Sequence, residues 1–428
     1  MQDFIDNIVP IITYNNGKQN TLLVEKSIFD PSELKRIGGF DLGEYEGWAN
    51  YLRNNSYSKI NIINPEGRLN YALGCMLGMA IGDSVGAPYE FHPVNKALYD
   101  KNNYTNDEYL NYPINREQNP FSDPVSPGQW TDDTSMGLCL ADSIIFHKGK
   151  VDLSDIIRRY LAWWYCGYNN ASRFAEEKGV SWGIGAIVGD SLKYFLTHPA
   201  EQFYTVGGKF SSGNGSMMRN AAIPITFKDM NTAMEIAQKQ SYVTHAGVEA
   251  ADCCKLLTFI CCKFMDGVKK NNIKDSLDDL LKDGSEVYNY LECDSVKGLA
   301  KSQKNVRNPR DNSSENWNWK ADVFAYNNDR FNDPDYPDGR GLGGYSMDCM
   351  AMALHILYHT TSFQQAIDVA SKLCGDADTV AAVVGQMAGA FYGFITFPQQ
   401  WMDNLHKYDH GEIAIRTYLL CELANNIN

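Results

Sequence analysis

Two short segments of this chain set carboxylates beside threonine hydroxyls. One runs Thr131, Asp132, Asp133, Thr134; the other runs Asp376, Ala377, Asp378, Thr379. In an extended turn, residues i and i+2 point the same way, so Asp376 and Asp378 can reach one point. Each segment opens an apolar run of helical character. The second run carries Ala382, Gly385 and Gly389, whose small size lets neighbouring helices approach closely. Alone, either segment reads most simply as a helix N-terminus with acids in its cap and first turn. Two of them in one chain suggest a shared task. Burying four carboxylates together is prohibitive unless cations neutralise them. An all-oxygen set without His or Cys selects hard divalent ions, Mg²⁺ or Mn²⁺, with Ca²⁺ a further candidate. Shared carboxylates would hold two such ions about 3.5–4 Å apart.

A third segment, Gly213, Asn214, Gly215, Ser216, Met217, Met218, Arg219, suits an anion. Its small residues let the backbone approach closely, and successive N–H groups can face the oxygens of a pyrophosphate. Asp83 and Glu90 lie in a stretch, Gly82 to Phe91, that reads as a loop. Asp83 is expected there to bond its own nearby backbone and hold the turn before Gly86.

The elements that position these groups read as helices. An apolar, glycine-rich run covers Leu69 to Ile81, and further helices are expected from Thr131 through His147, over Asp152–Tyr168, and after Gly185. Others are expected over Asn231–Val243, Val248–Met265, Tyr345–His359 and Ser362–Leu373, then along the run after Asp378. Residues 92–129 form a polar excursion rich in Pro, Asn and Tyr. Strand signals are sparse, so the main body, residues 67–428, is predicted to be all-α. Residues 1–66 read as a separate extension of mixed structure, with strands at Thr21–Glu25 and Ser58–Ile63, a helix at Pro31–Ile37 and no visible chemistry. Residues 267–340 read as an insertion, charged and helical at first; residues 303–340, rich in Asn, Asp and Pro, are expected at the surface.

Composition bounds the rest. Of 428 residues, 44% are hydrophobic and 12% aromatic, ample for a large core. Against 52 Asp and Glu stand 38 Lys and Arg, a net charge of −14 that argues against a nucleic-acid partner. The first residues lack the basic start of a signal peptide, and no apolar run reads as a membrane span. Adjacent pairs among the 11 cysteines, Cys253 with Cys254 and Cys261 with Cys262, read as core filler rather than disulfides or a zinc site. A cytoplasmic monomer is the expectation.

The motifs taken in order resemble the ADP-ribosylglycohydrolase family. They are Gly78 to Gly86 with Glu90 and Phe91, Thr131 to Thr134, Gly213 to Arg219, Thr244 with His245, Gly344 to Asp348, Phe363 to Ala366 and Gly375 to Thr379. The resemblance covers residues 68–265 and 341–405. It implies an all-α fold with a two-metal centre, Mg²⁺ or Mn²⁺, at the base of a cleft that binds ADP-ribose. By motif match, Thr131, Asp132, Asp133, Asp376, Asp378 and Thr379 would be the metal ligands. Glu90 would be the acid/base residue, with Asp132 and Asp378 sharing in catalysis. Gly183, Gly185, Gly213, Asn214, Gly215, Ser216, Met217 and His245 would contact ADP-ribose.

The implied reaction is hydrolysis of the C1″ linkage between ADP-ribose and an acceptor, either a protein side chain or a small-molecule conjugate. A free ADP-ribose derivative or nucleotide-sugar as substrate, and a non-catalytic ADP-ribose-binding or structural member, are the other readings; the complete acid set argues against the last. Where arginine-directed members carry an Asp-Ile-Gly, this chain has Gly183, Ile184 and Gly185, which puts arginine specificity in question.

Overall fold

Glycines recur every fourth residue along the first apolar run, at Gly74, Gly78, Gly82 and Gly86. That spacing puts all four on one face of a helix. In the computed structural model the run is one continuous helix, α1 (Gly67–Gly86), followed by a single 3₁₀ turn, Ala87–Tyr89. Asp83 therefore lies on a helix and not in the expected loop. The cause is tertiary. α1 lies against α12 (Ala377–Tyr392), the most extensive helix pairing among the described residues. The two run antiparallel with backbones in contact: a Cβ placed on Gly78 would stand 2.2 Å from the carbonyl oxygen of Gly385, and one on Gly74 2.2 Å from that of Gly389. Each helix-interior glycine costs about 1 kcal/mol of helix propensity. The close approach, which any larger residue would forbid, offsets that cost.

The structure describes residues 66–426 except 95–98, 106–124, 167, 172–180, 182, 199–207, 209–210, 325–337 and 410. The strands and helix expected near the N-terminus lie outside the described residues. The remaining helices are α2 (Asp132–Phe146), α3 (Leu153–Cys166), α4 (Ala186–Thr197), α5 (Ala222–Thr226), α6 (Met230–Tyr242) and α7 (Val248–Met265). They continue with α8 (Ile273–Leu280), α9 (Asp294–Ala300), α10 (Ser346–His359), α11 (Phe363–Lys372), α13 (Gln399–Asp409) and α14 (Glu412–Asn426). The described strand is one short hairpin, β1 (Val306–Arg307) with β2 (Ser314–Glu315), so the all-α expectation holds for the main body.

α12 is the hub. Every residue from Ala377 to Phe391 is buried, as an unbroken run of small and apolar residues requires. α7, α10 and α11 pack around it, while α2 and α14 flank α1. A buried ion pair, Arg416 to Asp142 at 2.7 Å, ties α14 to α2. Cys253, Cys254, Cys261 and Cys262 are fully buried on α7, and the described cysteines are free thiols. No described helix is long and apolar enough to cross a membrane.

The surface reading of residues 303–340 fails at two tryptophans. Trp317 and Trp319 are 1% and 0% exposed. Trp319 donates its indole N–H to the carbonyl of Leu299 at 2.7 Å, and the Nδ1 of His355 meets the Trp319 carbonyl at 2.8 Å. Asn- and Asp-rich composition had masked two core anchors.

Candidate active site

Antiparallel pairing brings the last turn of α1 beside the first turn of α12, and α2 begins against both. Three helix ends therefore converge, each carrying acids. Asp83, fully buried, caps α2 from outside. Its Oδ1 accepts from the Thr131 N–H and hydroxyl, both at 2.9 Å, and its Oδ2 from the Thr134 N–H at 3.0 Å and hydroxyl at 2.6 Å. Thr131 occupies the N-cap position of α2 without making a capping bond of its own. Asp83 is structural, as expected, but the backbone it holds belongs to another helix.

The carboxylates form two overlapping triads. Oxygens of Asp83, Asp133 and Asp378 lie within 4.8 Å of one another, and so do those of Glu90, Asp376 and Asp378. Asp378 belongs to both. The Thr131 hydroxyl sits between them, 3.2 Å from Asp133 Oδ2 and 3.3 Å from Asp378 Oδ2. Asp376 stands at the N-cap position of α12 and forms no capping bond; it accepts from Asn214 Nδ2 at 2.7 Å. Asp132 belongs to neither triad. It lines the cleft beside Gly183, where a Cβ would come within 2.4 Å of Asp132 Oδ1. Gly183 has φ +86°, so both its backbone conformation and the space it occupies suit glycine.

Burial dominates the electrostatics. It drives the carboxyls of Asp132, Asp133 and Asp378 well above the usual carboxylate range, and the negative charges of their neighbours push them further. Glu90 is raised to about 8 by burial and then by Asp376 and Asp83, against the opposing effect of its bond with Asp378. In Asp83 and Asp376 burial also raises the value, while donors from Thr134 and Asn214 respectively pull it down. The most buried ion pairs among the described residues, Arg416 with Asp142 and Lys255 with Asp252, lie elsewhere. Asp133 Oδ1 is buried without a hydrogen-bond partner. An orphaned carboxylate oxygen amid mutually repelling acids suits a cation, and the all-oxygen set suits a hard divalent one.

Above the acids opens a cleft of about 870 Å³. Of the residues expected in the site, Glu90, Thr131, Asp132, Gly183, Gly185, Gly213, Asn214, Gly215, His245, Asp376 and Thr379 line it. Asp133 and Asp378 lie beneath its floor, 0% and 2% exposed. Ser216 and Met217 are fully buried under the 213–218 loop, so neither side chain faces the cleft, whereas Met218 lines it. Asn214 is committed to the scaffold, its amide donating to Asp376 and to the Gly343 carbonyl. The N–H groups of Asn214, Met217 and Met218 bond carbonyls within the fold. Those of Gly213, Gly215 and Ser216 are left as the ones that could face an anion.

The sequence model of the ADP-ribosylglycohydrolase family matches residues 64–427, through the 267–340 segment as well. The chain belongs to the ADP-ribosylglycohydrolase family. It is 29% identical over 338 residues to the ADP-ribosylarginine hydrolase Tri1 of Serratia proteamaculans, covering 79% of this chain and 75% of that one. Over 373 residues it is 24% identical to the human ADP-ribosylhydrolase ARH3, covering 80% and 91% of the two chains. A solved structure described as an ADP-ribosylglycohydrolase-related protein complex shares the fold, with a TM-score of 0.56 at 24% identity over 83% of this chain and 99% of that one. The enzyme is thus an ADP-ribosylglycohydrolase, and its reaction is hydrolysis of an ADP-ribosyl linkage.

For this glycohydrolase, sequence reasoning gave one position too local a role and passed over another. Asp83 joins a carboxylate triad, which a local turn reading hid; the period-four glycines around it were the signal for a helix. Gly343, with φ +102°, closes over Asp376, where its Cβ would stand 3.2 Å from that of the acid. No sequence signal marks that contact.

Proposed function

We propose that the enzyme is a metal-dependent hydrolase that cleaves the C1″ bond joining ADP-ribose to an acceptor, with a protein side chain as the principal acceptor. The observation that supports it is the pair of carboxylate triads sharing Asp378 at the floor of a glycine-walled cleft. Asp83, Asp133 and Asp378 on one side, and Glu90, Asp376 and Asp378 on the other, are the residues that would hold two divalent cations, with Thr131, Asp132 and Thr379 adjoining. Bound there, Mg²⁺ or Mn²⁺ would neutralise the carboxylates and fix the 2″ and 3″ hydroxyls of the distal ribose.

The chain's own residues do the rest. Glu90, half-buried and facing the cleft, is placed to move a proton to the leaving atom on C1″ or from the attacking water. The water's oxygen goes to C1″ and its hydrogen to the acceptor, so no other reactant is needed. Gly213 and Gly215 lend backbone to the diphosphate, and His245 borders them.

The relatives from Serratia and Pseudomonas putida are named for arginine-linked ADP-ribose, yet Gly183 leaves no room for an acid beside Asp132. The test is ADP-ribose release from arginine-, serine- and acetyl-linked conjugates with Mg²⁺ or Mn²⁺ and again with EDTA. Metal-dependent release supports the reading and identifies the acceptor. Release unaffected by EDTA overturns the metal assignment, and no release from any conjugate overturns the hydrolase.

A further inference from the structure

Beneath the 213–218 loop lies a buried cation that forms no ion pair with a carboxylate among the described residues. Arg219 is 0% exposed. Its guanidinium stacks 4.6 Å above the ring of Tyr160 and donates to the Gln240 side chain and carbonyl, each at 3.1 Å. A third bond runs from Nη2 to the Thr244 hydroxyl at 2.8 Å. That hydroxyl stands 2.7 Å from Nδ1 of His245.

These contacts fix where the protons are. A guanidinium only donates, so Arg219 occupies a lone pair of Thr244 Oγ1. The hydroxyl then has one hydrogen to place, and Nδ1 of His245 is the acceptor within reach. Were Nδ1 protonated instead, a fully buried hydroxyl hydrogen would be left without a partner, which burial penalises. An accepting Nδ1 leaves the hydrogen of the neutral ring on Nε2. Burial and the charge of Arg219 push His245 down to about 3, so the ring is neutral at physiological pH. Nε2 lies at the cleft wall, 3.4 Å from where a Cβ on Gly213 would be and 3.2 Å from one on Gly215.

We infer that Arg219 and Thr244 are positioning residues that lock His245 in the tautomer presenting Nε2–H to the cleft, where it donates to an anionic oxygen of the ligand. The relay carries the influence of a buried positive charge to the loop surface without placing a charged side chain there. Assigning that oxygen to a diphosphate rests on the ADP-ribose reading above. The tautomer itself does not.

The test is side-chain nitrogen NMR of the full-length protein labelled with ¹⁵N-histidine, with His245 assigned through His245→Gln. A non-protonated Nδ1 and a protonated Nε2, unchanged across neutral pH, are expected. A protonated Nδ1 in the wild type overturns the relay, whatever the variants do. Thr244→Val should release the lock, giving mixed or reversed tautomers and weakening ADP-ribose binding in calorimetry by about tenfold. Thr244→Ser, which keeps the hydroxyl, should restore both. An unchanged His245 spectrum in a folded Thr244→Val protein overturns the inference. If wild-type protein shows the expected tautomer but binds no ADP-ribose, the functional reading fails while the relay stands.

Discussion

Gly78 and Gly385 meet backbone to backbone: a Cβ on Gly385 would stand 2.0 Å from the Gly78 carbonyl oxygen, and one on Gly78 2.2 Å from that of Gly385. No side chain separates the two helices at this level, so their spacing is set by main-chain atoms. The same spacing sets how far Asp83, near the end of α1, stands from Asp378, at the start of α12.

Adding a methyl at either glycine should push the helices apart. Gly385→Ala is expected to cost about 3 kcal/mol, the upper part of the range for overpacked cores, because backbone cannot swing aside as a side chain can. Denaturant unfolding measures it. Mn²⁺ affinity should fall in the same variant, since Asp83 and Asp378 separate.

Replacing the shared acid tests the cluster directly. Asp378→Asn should reduce turnover at least about 100-fold, as loss of a group that stabilises transition-state charge does, and should abolish stabilisation by Mg²⁺. In EDTA the variant should unfold no earlier than wild type, because one of several repelling charges has gone. Thermal unfolding with and without metal separates the two effects. Early unfolding in EDTA would argue that Asp378 serves the fold and not a cation.

Asn214→Ala removes the donors that hold Asp376 and the Gly343 carbonyl. Metal affinity is expected to drop roughly 10–100-fold, the usual effect of losing an outer-shell partner. Titration calorimetry with Mn²⁺ reads it. If Asn214 acted only as a ligand contact, ADP-ribose affinity would fall and metal affinity would not.

Stability of the metal-free enzyme should decline as pH rises. Glu90 titrates near 8 in the fold against an ordinary value of 4.5, so the native state keeps a proton that the unfolded chain has released. Stability is therefore lost between those two values as pH climbs. Melting temperature in EDTA should fall across that window, less steeply in Glu90→Gln. Saturating Mg²⁺ should oppose the fall, because metal displaces the protons.

That the acids at 132, 133, 376 and 378 stand where apolar helices begin was legible because the pattern is local, two carboxylates and a threonine; that Asp132 joins neither triad was not. Asp83 was not, because the groups it holds lie 48 and 51 residues away, at Thr131 and Thr134. The loop reading of Gly82 to Phe91 began too early, because the partner helix overrides glycine's weak helix propensity as far as Gly86. Asn214 was recognised in a motif, yet its amide faces Asp376 and Gly343, a commitment set by chain segments far apart in sequence. Trp317 and Trp319 were hidden by their Asn- and Asp-rich neighbours. The all-α class came through because the helical periodicity of the main body is long and repeated.

Asp83 has one further consequence. Its two oxygens accept from the amides of Thr131 and Thr134 at the start of α2, and one of them lies within 4.8 Å of carboxylate oxygens of Asp133 and Asp378. A cation held by that triad would draw on the same carboxylate that holds the amides of Thr131 and Thr134. Occupancy and helix fraying would then be linked, and the exchange rates of those two amide hydrogens would gauge how full the site is, readable without any substrate.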